Sequence, residues 1–312
     1  MKRIYSHFII CILIFSLNSS IAYAQLSKYL TIDPENASFV YEDIYHFVRA
    51  HALLTPESDS VAILQKEYLD RGTPGLKMFI EKYELTAESL VKAIRKHPEK
   101  YASLGEMPEL LYAQEPSFRK AYAKLKDFIP NAVFLPTYFL IGDFRGIGSG
   151  STEGTLISVE KWIKPIDHKK TTLVHELVHI QQVLAVGYDK YKALFGPEKS
   201  LLGLCIREGT AEFFADLVTG KIGQDEALEY TRRNEKRLWK WFKKEMYGQE
   251  TGDWMWTKPT DPEQQQHVGY AMGYLIVKAY YDNAKDKAKA AREIIAVTNY
   301  SDFLEKSGYE KQ

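Results

Sequence analysis

Two histidines and a glutamate in this chain are spaced as metal chemistry requires. His175-Glu176-Leu177-Val178-His179 reads H-E-x-x-H, within the run Thr171 to Gln182. On a helix, residues four apart lie on one face, so both imidazoles can grip one ion from the same side. Zinc accepts imidazole nitrogen readily, and a catalytic zinc needs three protein ligands plus a position open to water. Glu176 sits between the two histidines, close enough to the ion to take a proton from that water. Leu173, Val174, Leu177, Val178 and Ile180 make the run apolar around the motif. A buried helix is therefore expected, and its polar residues must have partners, since unpaired burial is costly. Two hydrogen-bonded core histidines would be the metal-free explanation.

A third ligand is expected downstream, in Arg207-Glu208-Gly209-Thr210-Ala211-Glu212-Phe213-Phe214-Ala215-Asp216-Leu217. Phe213, Phe214 and Leu217 mark an apolar helical face. Glu208 and Glu212 are four apart and project to one side, where their charges repel unless a cation or hydrogen bonds intervene. Glu208 as a zinc ligand answers this, with Glu212 behind it accepting from the far nitrogen of a ligand histidine. The simpler alternative is an exposed acidic helix start, where glutamate is favourable.

An H-E-x-x-H helix followed by a second helix carrying E-G-x-A-E resembles the gluzincin metallopeptidases, the thermolysin-like and aminopeptidase-like clan. The resemblance implies His175, His179 and Glu208 as ligands, Glu176 as the base and Glu212 as the acid that orients a ligand histidine. The gap between His179 and Glu208 is longer than in the commonest members, and the segment Val186 to Leu202 would absorb it. Ser200 to Gly220, Gly269 to Tyr281 and Phe303 to Tyr309 also resemble the predicted zinc-dependent proteases related to gliding motility lipoprotein B. The fold implied is α+β and mainly helical, a thermolysin-like zincin core with a small β-sheet or hairpin beside the H-E-x-x-H helix. The activity implied is hydrolysis of a peptide or protein substrate.

Such hydrolysis needs a donor beyond the metal to stabilise the oxyanion of the tetrahedral intermediate. In the resembled clan a Tyr or His supplies it. Gly269-Tyr270 and Gly273-Tyr274 repeat at spacing four, so both tyrosines face one side of a helix that follows His267. Tyr270, Tyr274 and His267 are the candidates, with Tyr270 preferred because it lies near the helix start. The alternative is that the glycines permit close helix packing and the tyrosines are core.

The elements around these residues read as follows. Residues 1–24 form an export signal: Lys2 and Arg3, an apolar run from Phe8 to Leu17 too short to span a membrane, and an Ala22-Tyr23-Ala24 cleavage site. Cys11 lies inside the apolar run and not at the cleavage point, so a lipoprotein signal is not expected. The protein is expected to be exported, periplasmic or secreted, with no transmembrane segment in the mature chain. Residues 25–130 read as successive helices packing on the core, without a chemical motif. Phe39-Val40 belongs to the helical pairs, Thr86 with Ser89 starts a helix, and Phe118 to Phe128 forms another. Residues 131–312 form the metallopeptidase region. Val133 to Ile141 and Gly154 to Glu160 read as strands joined by a glycine-rich link, expected as a hairpin or bulged loop. The 154–160 strand is the expected sheet edge, where by analogy an extended substrate would pair. Asp167 or a threonine would cap the motif helix, Gly220 would end the Glu208 helix, and Asp225 to Met246 reads as one long helix. Gly248 to Pro262, with Trp254 and Trp256, is a loop that could overhang the site.

Composition narrows the remaining classes. The 312 residues carry 41 basic and 41 acidic side chains. Loss of Lys2 and Arg3 would leave a net charge of about −2, with no basic patch to bind nucleic acid. Cys205 is the one cysteine after residue 24, so no intrachain disulfide is expected there. Its apolar surroundings make it a small buried residue. Nothing in the sequence sets an oligomeric state. A rival to the peptidase is a non-catalytic, zinc-stabilised binding or assembly protein of the cell envelope, which would need no base at Glu176.

Overall fold

The computed structural model describes residues 29–311 apart from 147, 152, 163–168, 195, 197 and 198. The expected leader over 1–24 and the expected cap at Asp167 lie outside the described residues. Most of the described chain is helical, with a four-stranded mixed sheet. The chain divides into two compact units, one built from Leu26–Lys124 and Asn131–Leu177, the other from Leu125–Pro130 and Val178–Gln312. The division falls within a single continuous helix, Lys169–Val186. No helix among the described residues is long and apolar enough to cross a membrane.

In the first unit, strand β1 (Phe39–Val40) precedes helices α1 (Glu42–Ala52), α2 (Ser60–Leu64), α3 (Pro74–Tyr83), α4 (Ala87–Lys96), α5 (Pro98–Ala102) and α6 (Met107–Leu125). Local chemistry sets their ends. Pro74 starts α3 behind the N-cap Thr73, since a proline's missing N–H costs nothing in a first turn. Thr86 and Ser89 exchange side-chain and backbone bonds in a capping box that starts α4. Two expectations change here. Phe39-Val40 is extended and pairs with the next strand instead of joining a helix. The expected 118–128 helix is the second half of α6, which begins at Met107 and runs through Pro116.

Strands β2 (Thr137–Leu140), β3 (Gly148–Gly150) and β4 (Thr155–Ser158) complete the sheet in the order β1-β2-β4-β3. β1 and β4 flank β2 in parallel, and β3 pairs antiparallel with β4, Ser149 opposite Leu156. The two strands expected to be joined by a hairpin instead run parallel, and the antiparallel pair is made by β4 with β3, a strand inside the glycine-rich link. β2 is shorter than the expected 133–141 strand, beginning just after Pro136, which has no N–H to offer a ladder. β4, expected as the edge, lies inside the sheet. The edges are β1 and β3, the latter because the chain turns back and covers β4 with its own short strand.

Side chains hold the exit of β2 where the ladder stops. Tyr68 donates its hydroxyl to the Ile141 carbonyl (2.6 Å) and accepts the Ile141 N–H (2.9 Å). Tyr101 donates to the Gly142 carbonyl, while the Glu160 carboxylate accepts the N–H groups of Gly142 and Phe144. Tyr68, Tyr101 and Glu160 are all buried. Five backbone polar atoms at this exit are therefore paired, and the link toward β3 leaves the sheet in a fixed direction.

The second unit holds half of α7 (Lys169–Val186), from Val178 on, then α8 (Tyr188–Ala193), α9 (Leu201–Thr219), α10 (Asp225–Arg233), α11 (Glu235–Glu245), α12 (Val268–Asn283), α13 (Lys287–Ile295) and α14 (Tyr300–Ser307). Ser200 caps α9 by accepting the Gly203 N–H, and Gly220 ends it with φ 72°, a conformation glycine adopts without a Cβ penalty. The helix expected over 225–246 is broken at Asn234, whose φ of −113° and ψ of 16° separate α10 from α11. α9 and α12 meet at closest range. A Cβ on Gly273 would lie 1.7 Å from the Cys205 carbonyl oxygen, and one on Gly209 would lie 2.1 Å from the Gly273 carbonyl carbon. Only hydrogen fits at either place.

Candidate metal centre

α7 presents His175 and His179 one turn apart, both buried, among the buried Leu173, Val174, Leu177, Val178 and Ile180. Thr171 and Thr172 lie inside this helix and not at its cap. Glu208 lies on α9, seven residues after its start, and is 3% exposed; Glu212 follows one turn later at 1%. The exposed acidic helix start is thus ruled out for both. His175, His179 and Glu208 each offer one ligand atom, and those atoms lie within 4.8 Å of one another.

The hydrogen bonds around His179 test whether a cation fits. Gln182 donates its amide N–H to the Arg207 carbonyl at 3.0 Å, so its oxygen faces the ring. His179 Nδ1 is 2.8 Å from that oxygen and must be the donor. Nδ1 therefore carries the proton, and His179 Nε2 meets the Glu208 Oε2 atom at 3.2 Å. In the neutral ring this places a lone pair against a carboxylate oxygen, which either a bound cation or a second proton on the ring reconciles. Two imidazoles and one carboxylate are a donor set that zinc accepts, so the residues present fit the ion.

Arg207 completes the pairing of Glu208. Its guanidinium donates to Glu208 Oε1 and to the Tyr191 hydroxyl, and stacks over the Tyr191 ring. Burial works against the Arg207 charge, yet Glu208, with Tyr191 and Tyr270, holds its pKa above the ordinary value. The Glu212 carboxylate accepts the Gly223 N–H at 2.6 Å.

Glu176 lies on the first unit's stretch of α7 and is half-buried. The edge strand makes room for it: a Cβ on Gly148 would fall 2.5 Å from Glu176 Oε1 and 2.6 Å from its Cγ. Tyr83, at the end of α3, is a neighbour that sequence reasoning missed. A Cβ on Gly146, whose φ is 71°, would fall 2.6 Å from the Tyr83 ring. Burial, then the charge of Glu176, raises the Tyr83 phenol pKa. Nothing local in the sequence marks Tyr83; the signal was the glycine pair at 146 and 148, read there only as part of a hairpin or bulged loop.

The three candidate oxyanion donors diverge. Tyr274 donates its hydroxyl to Asp216 at 2.7 Å, and burial followed by that carboxylate raises its pKa. Tyr270 accepts from the Trp256 indole at 2.8 Å. His267 is the N-cap of α12 with φ 66°, its ring 5.5 Å from that of Tyr270. Burial lowers its pKa, against the opposing pull of Glu212 and Glu208. Cys205 is buried with its Sγ 3.8 Å from Met255 Sδ, and burial, then Glu208, pushes its thiol pKa up, which removes it as a nucleophile. Gln182 is the other residue that sequence reasoning passed over, while Trp256 lies in the loop expected to overhang the site. Gln182 was within reach, since it lies three residues after His179 and shares its face.

Residues 143–299, half of the chain, match a family described as "Predicted Zn-dependent protease (DUF2268)". No curated protein and no solved structure matches the chain.

Proposed function

The chain belongs to the predicted Zn-dependent protease family, and on that premise we propose that it is an exported peptidase of gluzincin type acting on peptide or protein substrates. His175, His179 and Glu208 hold the zinc. The observation that carries this reading is His179, whose proton is placed on Nδ1 by Gln182 while Nε2 faces the Glu208 carboxylate. When bound, zinc supplies a Lewis acid that makes water acidic near neutral pH and polarises the scissile carbonyl. Glu176 takes the proton of the attacking water and passes it to the leaving amine. Tyr270 donates to the oxyanion. It is preferred to Tyr274 and to His267 because it lies near the start of α12. Glu212 accepts from the far nitrogen of His175, since Gln182 already occupies that of His179. No covalent acyl-enzyme forms. Residues 1–24 direct export and are removed, and 131–312 form the metallopeptidase region, a thermolysin-like core.

The rival is the non-catalytic zinc-stabilised envelope protein. The space that Gly148 leaves for the Glu176 carboxylate favours the enzyme, because a structural site needs no base. Metal analysis and a peptide-library digest separate the two. The purified protein should hold about one zinc per chain, and His175→Ala and Glu208→Ala should lose it. Glu176→Gln should keep the metal and lose at least about 100-fold in turnover. No zinc in the parent after the metal is supplied would sink the peptidase. Zinc with no cleavage in the parent, and no change in Glu176→Gln, would leave the scaffold.

A further inference from the structure

We propose that Trp256 is a positioning residue that sets the hydroxyl of Tyr270, an inference that rests on Tyr270 being the oxyanion donor. Trp256 lies between α11 and α12 and is 46% exposed. Its indole is nevertheless held, with Nε1–H donating to the Tyr270 oxygen at 2.8 Å. An indole can only donate. The Tyr270 oxygen is therefore the acceptor, and the phenol's own proton has no part in this bond. A donor on a phenol oxygen also polarises the O–H outward and strengthens what that proton can offer.

The segment that carries Trp256 is tied down on both sides. Trp254 and Met255 are fully buried next to it. The Trp254 carbonyl accepts the Gly269 N–H at 2.8 Å, within the first turn of α12. The Gln266 amide donates to the Trp256 carbonyl at 2.7 Å, and Gln264 donates to that of Asp253 at 2.7 Å. Asp253 in turn accepts from the Thr260 N–H and hydroxyl. The backbone at 253–256 is thus fixed to the start of the helix that carries Tyr270. Indole and phenol stand on one frame, so the bond between them sets a direction and not merely a contact.

Tyr270 and Glu208 lie on α12 and α9, the two helices that meet at Gly273 and Gly209. If apolar cover were the only need at 256, a phenylalanine would serve and would not strand an N–H. The N–H is the part of the side chain with a defined partner, and that partner is the proposed donor.

Trp256→Phe keeps a ring and removes the N–H. Its kcat on a cleaved peptide should fall about 3- to 10-fold, with KM and zinc content unchanged. Tyr270→Phe should fall further, and adding Trp256→Phe to it should change nothing more, because the two act through one hydroxyl. A readout independent of turnover is the Trp256 indole N–H resonance in the metal-free protein. It should move upfield in Tyr270→Phe. Additive losses, or a wild-type kcat in Trp256→Phe beside an impaired Tyr270→Phe, would overturn the positioning role alone. Full activity in Tyr270→Phe would remove the donor assignment and this role together. An indole resonance indifferent to Tyr270→Phe would overturn it without any assay of cleavage.

Discussion

Gln182 decides the protonation pattern on which the metal reading depends. Its amide can face only one way, because the Arg207 carbonyl accepts and cannot donate. Replacing it by leucine removes the acceptor for His179 Nδ1 while keeping a similar volume. The ring then loses its orientation, and zinc affinity in Gln182→Leu should drop about 10- to 100-fold, as for other partners of ligand histidines. Competition with a chromophoric chelator would measure it, and an unchanged affinity would show that His179 needs no support. At this scale the sequence was most informative where chemistry and spacing coincide. His175, His179 and Glu208 converge as the H-E-x-x-H and the later E-x-x-x-E suggested. Arg207 and Tyr83 were illegible because their contacts join segments far apart in sequence or depend on burial, neither of which a local pattern encodes.

Helices α9 and α12 carry Glu208 and Tyr270, and their spacing depends on two glycines. At Gly273 and Gly209 an added methyl would meet backbone atoms, not a side chain that could turn away. Gly273→Ala should therefore cost at least about 3 kcal/mol, the upper end for overpacking. Thermal denaturation would read this, together with reduced zinc uptake as Glu208 is displaced; a melting temperature within a degree or two of the parent would contradict it. Capped helices were legible here, since Thr86, Ser89 and Gly220 act within a single turn. The break at Asn234 and the short strand β1 were not, because tertiary packing overrides propensity in segments this short. The sheet edge was misread for the same reason, since strand order is set by the path of the chain and not by composition.

Over the whole molecule, one buried carboxylate should shape stability against pH. Asp43 on α1 is fully buried and accepts the N–H and hydroxyl of Thr73, at 2.9 and 2.5 Å, where α3 begins. Burial, partly offset by those bonds, lifts its pKa from 3.8 to about 6. The folded state thus holds this proton more tightly than the unfolded chain does. The stabilisation is fully present below pH 3.8 and is lost as pH rises through about 6. The gap corresponds to about 3 kcal/mol. Asp43→Asn, which keeps an acceptor for Thr73, should lack that decline, so denaturant titrations of parent and variant should diverge between pH 4 and 6 and run parallel above it. Parallel curves throughout would mean that Asp43 is not strained by its burial.

The hydrogen of Gly148 has a bearing on descent as well as on chemistry. The nearest atoms a methyl there would meet all belong to the Glu176 side chain, so the fold should survive while that side chain is displaced. His175, His179 and Glu208 would be untouched. On the proposed function, a working protease and an inert zinc holder would then be one small substitution apart.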